Sequence, residues 1–344
     1  MSLSPMRLAA LLLAITLFSG LAAAQKDPAL PGSVQPPPAQ ASPSPAAGAV
    51  ASDSSSSGGS PDKGKIPVFR THTDEVNLIF TVTDKHGKFI RDLKEEQFKI
   101  LDNNLPPKQI THFEAETDLP LRVGLLIDAS NSIRDRFQFE QQAAIEFLQQ
   151  IIRPRSDRAF VLAFDEVPDL TQDFTGDLDK LNRGVQMIRP GGGTALWDAV
   201  YFACRDKLLK QSDTFPVRRA MILVSDGDDN QSRVLRQEAL DMAERASVII
   251  YTISTNLTSS SVDQGDKNLK MLAEATGGRA FFPFKLQELA DAFHDIQEEL
   301  RSQYVVAYKP DQFVANGEFR PVKITMNEKK FRVRAKRGYY VPKQ

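Results

Sequence analysis

Apolar and polar positions change rhythm twice along this chain. Val76 to Thr83 reads VNLIFTVT, a β-branched and aromatic run, and Asp84-Lys85-His86-Gly87 follows as a turn before the short KFI. FKILD and KQITHFE predict two more strands around Asn103-Asn104-Leu105-Pro106-Pro107. Such a module of about fifty residues is near the size at which a lone core is marginal. Strand-like alternation returns at the far end of the chain in QYVVAYKP, PVKITMN and KFRVRAKRGYY. These patterns predict that the two ends pair into one β-sandwich with the middle inserted between them.

The middle behaves differently. LRVGLLIDAS is a continuous apolar run, the pattern of a strand covered on both faces. A helix over Phe137 to Ile152 follows, with Ala144, Phe147, Leu148, Ile151 and Ile152 on one stripe. RAFVLAF, RRAMILVSD, VIIYTIS and RAFFPF read as strands. Between them, Ala195 to Leu209, Leu235 to Ala246, Leu269 to Ala275 and Leu286 to Ser302 read as helices. Alternation of this kind predicts an α/β fold with a doubly wound, mostly parallel sheet, joined to the small β-sandwich of N- and C-terminal strands.

Composition narrows the function classes. The 344 residues carry 43 Lys plus Arg against 44 Asp plus Glu, a net charge of −1, which argues against a dedicated nucleic-acid binder. A hydrophobic fraction of 41% excludes general disorder. The single cysteine, Cys204, cannot form an intramolecular disulfide and reads as a small buried hydrophobe in AVYFACRDKLL. Four histidines without HExxH or Cys-x-x-Cys argue against zinc enzymology.

The N-terminus adds a compartment. Arg7, the apolar run Leu8 to Leu17 and the small residues Ala22-Ala23-Ala24 have the logic of a secretory signal over residues 1–24. No later stretch of about 18 apolar residues predicts a membrane span. The mature chain is therefore expected in the periplasm or secreted. Residues 25–65 hold eight Pro, nine Ser and five Gly, too little apolar surface to offset ordering, and read as a disordered tether. The expected order is then an N-terminal β module at 66–117, an α/β domain at 118–302 and C-terminal strands at 303–344. Residues 301–344 carry 11 basic and 3 acidic side chains. That tail reads either as an ordinary solvated strand face or as a contact for anionic surfaces.

In doubly wound sheets, ligands bind beyond the carboxyl ends of the strands. Three loops fall there: Asp128-Ala129-Ser130-Asn131-Ser132, Pro190-Gly191-Gly192-Gly193-Thr194 and Ser225-Asp226-Gly227. Their donors are carboxylates and hydroxyls, the oxygen ligands that hard cations such as Mg2+ prefer. Taken singly, DASNS is also a helix cap and GGGT a turn. SDGDDN fails as an EF-hand, which would need Gly at Gln231 and Glu at Gln237. Asp228 and Asp229 read as solvated loop carboxylates or electrostatic tuners of the site, and Trp197 as core.

Asp128-x-Ser130-x-Ser132, Thr194 in GGT and Asp226 in SDG together resemble the metal-ion-dependent adhesion site of von Willebrand factor A-type domains. Order and spacing agree over about 185 residues. The flanking LKEEQFKILDN and FRVRAKRGYYVP are similar to the exported von Willebrand A-related family common in acidobacteria. The resemblance implies that Asp128, Ser130, Ser132 and Thr194 hold Mg2+ (or Mn2+ or Ca2+) directly or through water, with Asp226 as second carboxylate. It also implies a protein partner whose Asp or Glu completes the metal shell, and coupling of ligation to a shift of the last helix of the domain. Ile133 stands where many members carry Met.

Two other classes remain on the sequence alone. One is a structural envelope protein whose metal serves folding only. The other is a metal-dependent hydrolase, for which support is thin: there is no GxSxG elbow, and His72, His86, His112 and His294 adjoin no nucleophile. Aspartate-nucleophile phosphotransferases need a second carboxylate where Ser130 stands.

Overall fold

The computed structural model describes residues 75–342 apart from 117–118, 132–136, 212, 214–216, 257–262 and 329. The expected signal, the tether and Ser132 lie outside the described residues. Three strands come first: β1 (Val76–Thr83), β2 (Phe98–Asp102) and β3 (Gln109–Glu116). An α/β body follows, made of β4 (Leu121–Asp128), α1 (Phe137–Ile151), β5 (Arg158–Phe164), β6 (Pro168–Thr175), α2 (Leu178–Met187) and α3 (Leu196–Phe202). It continues through β7 (Arg218–Ser225), α4 (Arg236–Arg245), β8 (Ile249–Ser254), α5 (Gln264–Thr276), β9 (Ala280–Phe281) and α6 (Leu286–Leu300). Four strands close the chain: β10 (Gln303–Lys309), β11 (Phe319–Met326), β12 (Arg332–Ala335) and β13 (Gly338–Tyr340).

The body is a six-stranded sheet in the order β6-β5-β4-β7-β8-β9, parallel except for β6. All eight residues of β4 are buried, because helices cover both faces of the sheet. Leu121, Val123, Leu125 and Ile127 pack in the core that holds α1 and α6. Leu126 points to the opposite core, with Trp197, Cys204, Leu240 and Leu269. Trp197 on α3 and Cys204 in the turn that follows it are thus interior, as their apolar contexts predict.

The N- and C-terminal strands pair across the chain, as their alternation predicts. One sheet runs β12-β1-β10-β3 and the other β13-β11-β2, with Leu78, Phe80, Val82, Tyr304, Val306 and Ile324 among the residues of their shared core. Glu116 at the end of β3 faces Gln303 at the start of β10. The body therefore enters and leaves the sandwich at neighbouring backbone positions.

Two elements were not foreseen. β6, PDLTQDFT, is an antiparallel edge strand with no fully buried residue. α2 buries only Leu181, Gly184 and Val185. Other bounds move for local reasons. α5 starts at Gln264 rather than Leu269, because the Asp263 carboxylate caps it by accepting from the Asp266 amide at 2.8 Å. The helix expected over Ala195 to Leu209 is α-helical to Phe202 and then widens into a π-helical turn, Ala203–Leu208. KFI contributes only a bridge between Phe89 and Thr83. KFRVRAKRGYY divides into β12 and β13, one in each sheet of the sandwich.

Buried charge ties the modules together. Asp102, in the sandwich core, accepts from Tyr308 Oη (2.9 Å), Tyr339 Oη (2.8 Å) and Arg320 Nε (2.8 Å). Glu299, in the last turn of α6, pairs with Arg334 of β12; burial raises its pKa even beside that arginine. Arg91 donates to Ser302 Oγ at 2.8 Å and to Glu298 at 3.1 Å. Asp157 accepts from the Leu121 amide (2.9 Å), Arg153 Nε (3.1 Å) and Arg301 Nη2 (2.9 Å). Three arginines of the basic tail, Arg301, Arg320 and Arg334, are thus engaged by carboxylates of the fold.

Burial pushes the Asp157 carboxyl up, but the bonds from Arg153, Leu121 and Arg301 outweigh it and hold it below the usual carboxylate range. A depressed folded pKa contributes stability above the unfolded value of about 3.9 and loses it as pH falls through the folded one. Asp157→Asn should cost about 2 kcal/mol near neutral pH. In urea titrations at several pH values, the gap between wild type and variant should close progressively below about pH 4.

Candidate metal centre

The parallel strands end at one edge, and the three oxygen-rich loops meet there. Asp128 is the last residue of β4 and is fully buried. Its Oδ1 accepts from the Ser130 amide at 2.8 Å, and its Oδ2 from Ser225 Oγ at 2.6 Å. Ser225 ends the adjacent strand β7, and its hydroxyl oxygen also accepts from the Gly227 amide at 3.0 Å. One serine therefore locks the Asp128 carboxylate to the loop that carries Asp226.

The glycine-rich loop is fastened to the first loop through backbone. The Gly191 amide donates to the Ala129 carbonyl at 2.6 Å, and the Asn131 amide to the Gly192 carbonyl at 3.3 Å. Thr194, almost fully buried, donates its amide to Asn230 Oδ1 at 2.9 Å, while its carbonyl accepts from the Asn230 and Gln231 amides. A Cβ on Gly193 would come within 2.7 Å of both Asn230 Oδ1 and Gln231 Cγ, so only glycine lets these loops close.

The loop after β7 is interlocked with α3. Asp229 Oδ1 accepts from the Leu196 amide at 2.9 Å, and Ser232 Oγ from the Trp197 amide at 2.9 Å. In return, Asp198 Oδ1 accepts from the Arg233 and Val234 amides. Asp229 is thus a cap for the helix that follows Thr194, not a free loop carboxylate. Asp228 is exposed; burial at its carboxyl, together with Asp226 and Asp263, raises its pKa.

Of the five sequence-derived candidates, the structure brings together Asp128, Ser130 and Asp226, and fastens the Thr194 loop against them. Ser132 lies outside the described residues. Ser130 is 3% exposed, Thr194 4% and Asp226 7%, so these polar groups are withdrawn from bulk water. Burial raises the Asp128 pKa to about 6; hydrogen bonds from Ser225 and Ser130 lower it, and the nearby charge of Asp226 raises it further. Two carboxylates that disfavour each other's charge, with neutral hydroxyls around them, make a donor set that suits a hard divalent cation. Among the described residues no cluster of three or more His, Cys, Asp or Glu is placed to hold a metal, so a site here depends on hydroxyl ligands as well.

Sequence reading named Ser225 only as part of the SDG loop, without a role, and passed over Asn230 and Ser232 just after it; all three position other residues rather than carry charge.

The chain belongs to the von Willebrand factor type A domain family, whose model matches residues 123–299. No match is found among curated proteins. Solved structures of similar fold include proximal thread matrix protein 1 from the mussel byssus with a zinc-occupied MIDAS motif, at 14% identity and TM-score 0.47. That match covers 59% of this chain and 50% of the mussel protein; the chain spans about half the length of the mussel protein. Another is the vWF domain of the type V pili tip protein Mfa5 from Porphyromonas gingivalis, at 15% identity and TM-score 0.44, covering 52% of this chain and 94% of that one.

Gly227 has a φ of +79°, and a Cβ there would collide with the carbonyl of Gly265 at the start of α5. Gly227→Ala should therefore destabilise the fold by roughly 1–3 kcal/mol, read as a lower urea midpoint with an unchanged slope.

Proposed function

We propose that the chain is an exported, metal-dependent protein-binding module. A divalent cation held by Asp128, Ser130, Ser132, Thr194 and Asp226 takes a carboxylate from a partner protein. One observation carries this reading: buried carboxylates and a buried hydroxyl converge at a single sheet edge, against a tightly fastened Thr194 loop. Mg2+, when bound, supplies a positive centre with a coordination position open to a partner's Asp or Glu; Mn2+ and Ca2+ accept the same oxygen donors. The protein's share is positioning. Ser225 and the Ser130 amide orient Asp128, and Asn230 sets the backbone of Thr194.

Binding rather than catalysis is favoured by the surroundings of the serines. The described histidines stand off the site loops: His86 in the turn after β1, His112 on β3 and His294 on α6. A serine without an adjacent base is a poor nucleophile. Export is supported by the signal-like residues 1–24; among the described residues no helix is long and apolar enough to cross a membrane.

A ligand bound only by the native state adds about 2.7 kcal/mol at one hundred times its Kd. Mg2+ should raise the unfolding free energy of the wild-type chain by that order, and EDTA should remove the gain. Asp128→Ala and Thr194→Ala should each show no gain, with calorimetry giving a flat Mg2+ isotherm. A full Mg2+ increment retained in Asp128→Ala would sink this reading.

A further inference from the structure

Large apolar side chains are unevenly distributed over the α/β body. Among the described residues six stand in solvent, and five of them lie at the edge where the parallel strands end. Val167, 61% exposed, is in the β5–β6 turn, whose Asp165 carbonyl accepts from the Ala195 amide at 2.6 Å, just after Thr194. Met187, 63% exposed, ends α2 immediately before the glycine-rich loop. Leu235, 68% exposed, closes the loop that begins with Asp226. Phe282 and Phe284, 37% and 64% exposed, follow β9 at the same edge. The sixth, Leu209, is at the other end of the sheet, where Arg219 at the start of β7 donates to the Leu208 carbonyl.

Scattered apolar residues on a surface need no explanation, but five around one candidate binding centre do. The exposed charges of the same loops are of both signs, with Glu166, Asp228 and Asp263 against Arg189, Arg233 and Arg236. Net charge therefore selects weakly at this edge, and apolar contact is left to discriminate between partners.

We infer that this rim recognises a protein segment in which a single Asp or Glu is flanked by apolar side chains. The inference rests on the metal-bridged reading above. The carboxylate addresses the cation, and the flanking side chains cover exposed apolar residues of the rim, of which Val167 and Leu235 follow the two strands that neighbour β4. Covering the rim also excludes water from the ion–carboxylate contact, which strengthens it.

The test uses the full chain with saturating Mg2+ and two fluorescent peptides, Gly-Ser-Leu-Asp-Leu-Ser-Gly and Gly-Ser-Ser-Asp-Ser-Ser-Gly. Anisotropy should show the leucine-flanked peptide binding at least about tenfold more tightly. The double variant Val167→Ser with Leu235→Ser should erase that difference, while its Mg2+ isotherm reports that the site is still folded. Equal binding of the two peptides, or binding of neither by Mg2+-loaded protein, would overturn the inference and leave the metal reading standing. A flat Mg2+ isotherm for the wild type would remove both. A dimer seen in sedimentation and lost in the double variant would assign the rim to a second copy of the chain, and would also overturn it.

Discussion

Asp128 carries the central constraint of this structure, because a carboxylate at the end of a fully buried strand has to be held by neighbours or moved out. It is held by Ser225 from the next strand and by the Ser130 amide of its own loop. Those bonds fix where β4 and β7 end relative to one another, and hence where Asp226 stands. The remaining loops lock onto this pair. Gly191 donates to Ala129, Asn230 sets Thr194, and Asp229 with Ser232 caps α3. The cluster is thus preorganised by hydrogen bonds within and between its three loops. Preorganisation of this kind lowers the ordering cost of binding an ion.

Polar contacts also join the body to the sandwich. α6 runs from the site edge to the junction, where Glu299 meets Arg334 and Ser302 meets Arg91. β10 follows after two residues and pairs with β3, the strand that leads into the body. Buried ion pairs are weak evidence for stability but strong determinants of arrangement, since removing one partner strands the other charge. Glu299 accordingly fixes β12 against α6, and Asp102 fixes β2, β10, β11 and β13 against one another, while the apolar cores supply most of the driving force.

Legibility from sequence followed the physical origin of each feature. Buried parallel strands such as LRVGLLID announce themselves, because burial on both faces demands a continuous apolar run. The pairing of the chain ends was readable because a small β module needs more strands and alternating runs stood ready at the other terminus. β6 was not readable, because an edge strand that buries few side chains leaves no periodic trace; α2 was missed although Leu178, Leu181 and Val185 recur at helical spacing behind the Asp177 cap. At the site, the charged and hydroxyl donors were visible because their spacing follows three strand ends. The orienting roles of Ser225, Asn230 and Ser232 were not, because a residue that orients another looks in sequence like any polar loop residue. The apolar rim likewise emerges only once topology places Val167, Leu235 and Phe284 at one edge.

The cation site proposed at this sheet edge draws its oxygen donors from three loops. The most direct measurement is anomalous diffraction from crystals of the full chain grown with Mn2+. A single strong peak is expected within coordination reach of Asp128, Ser130 and Thr194, with Asp226 beside it. Full Mn2+ occupancy elsewhere, such as between Asp263 and Asp266, with no peak at Asp128 would contradict it.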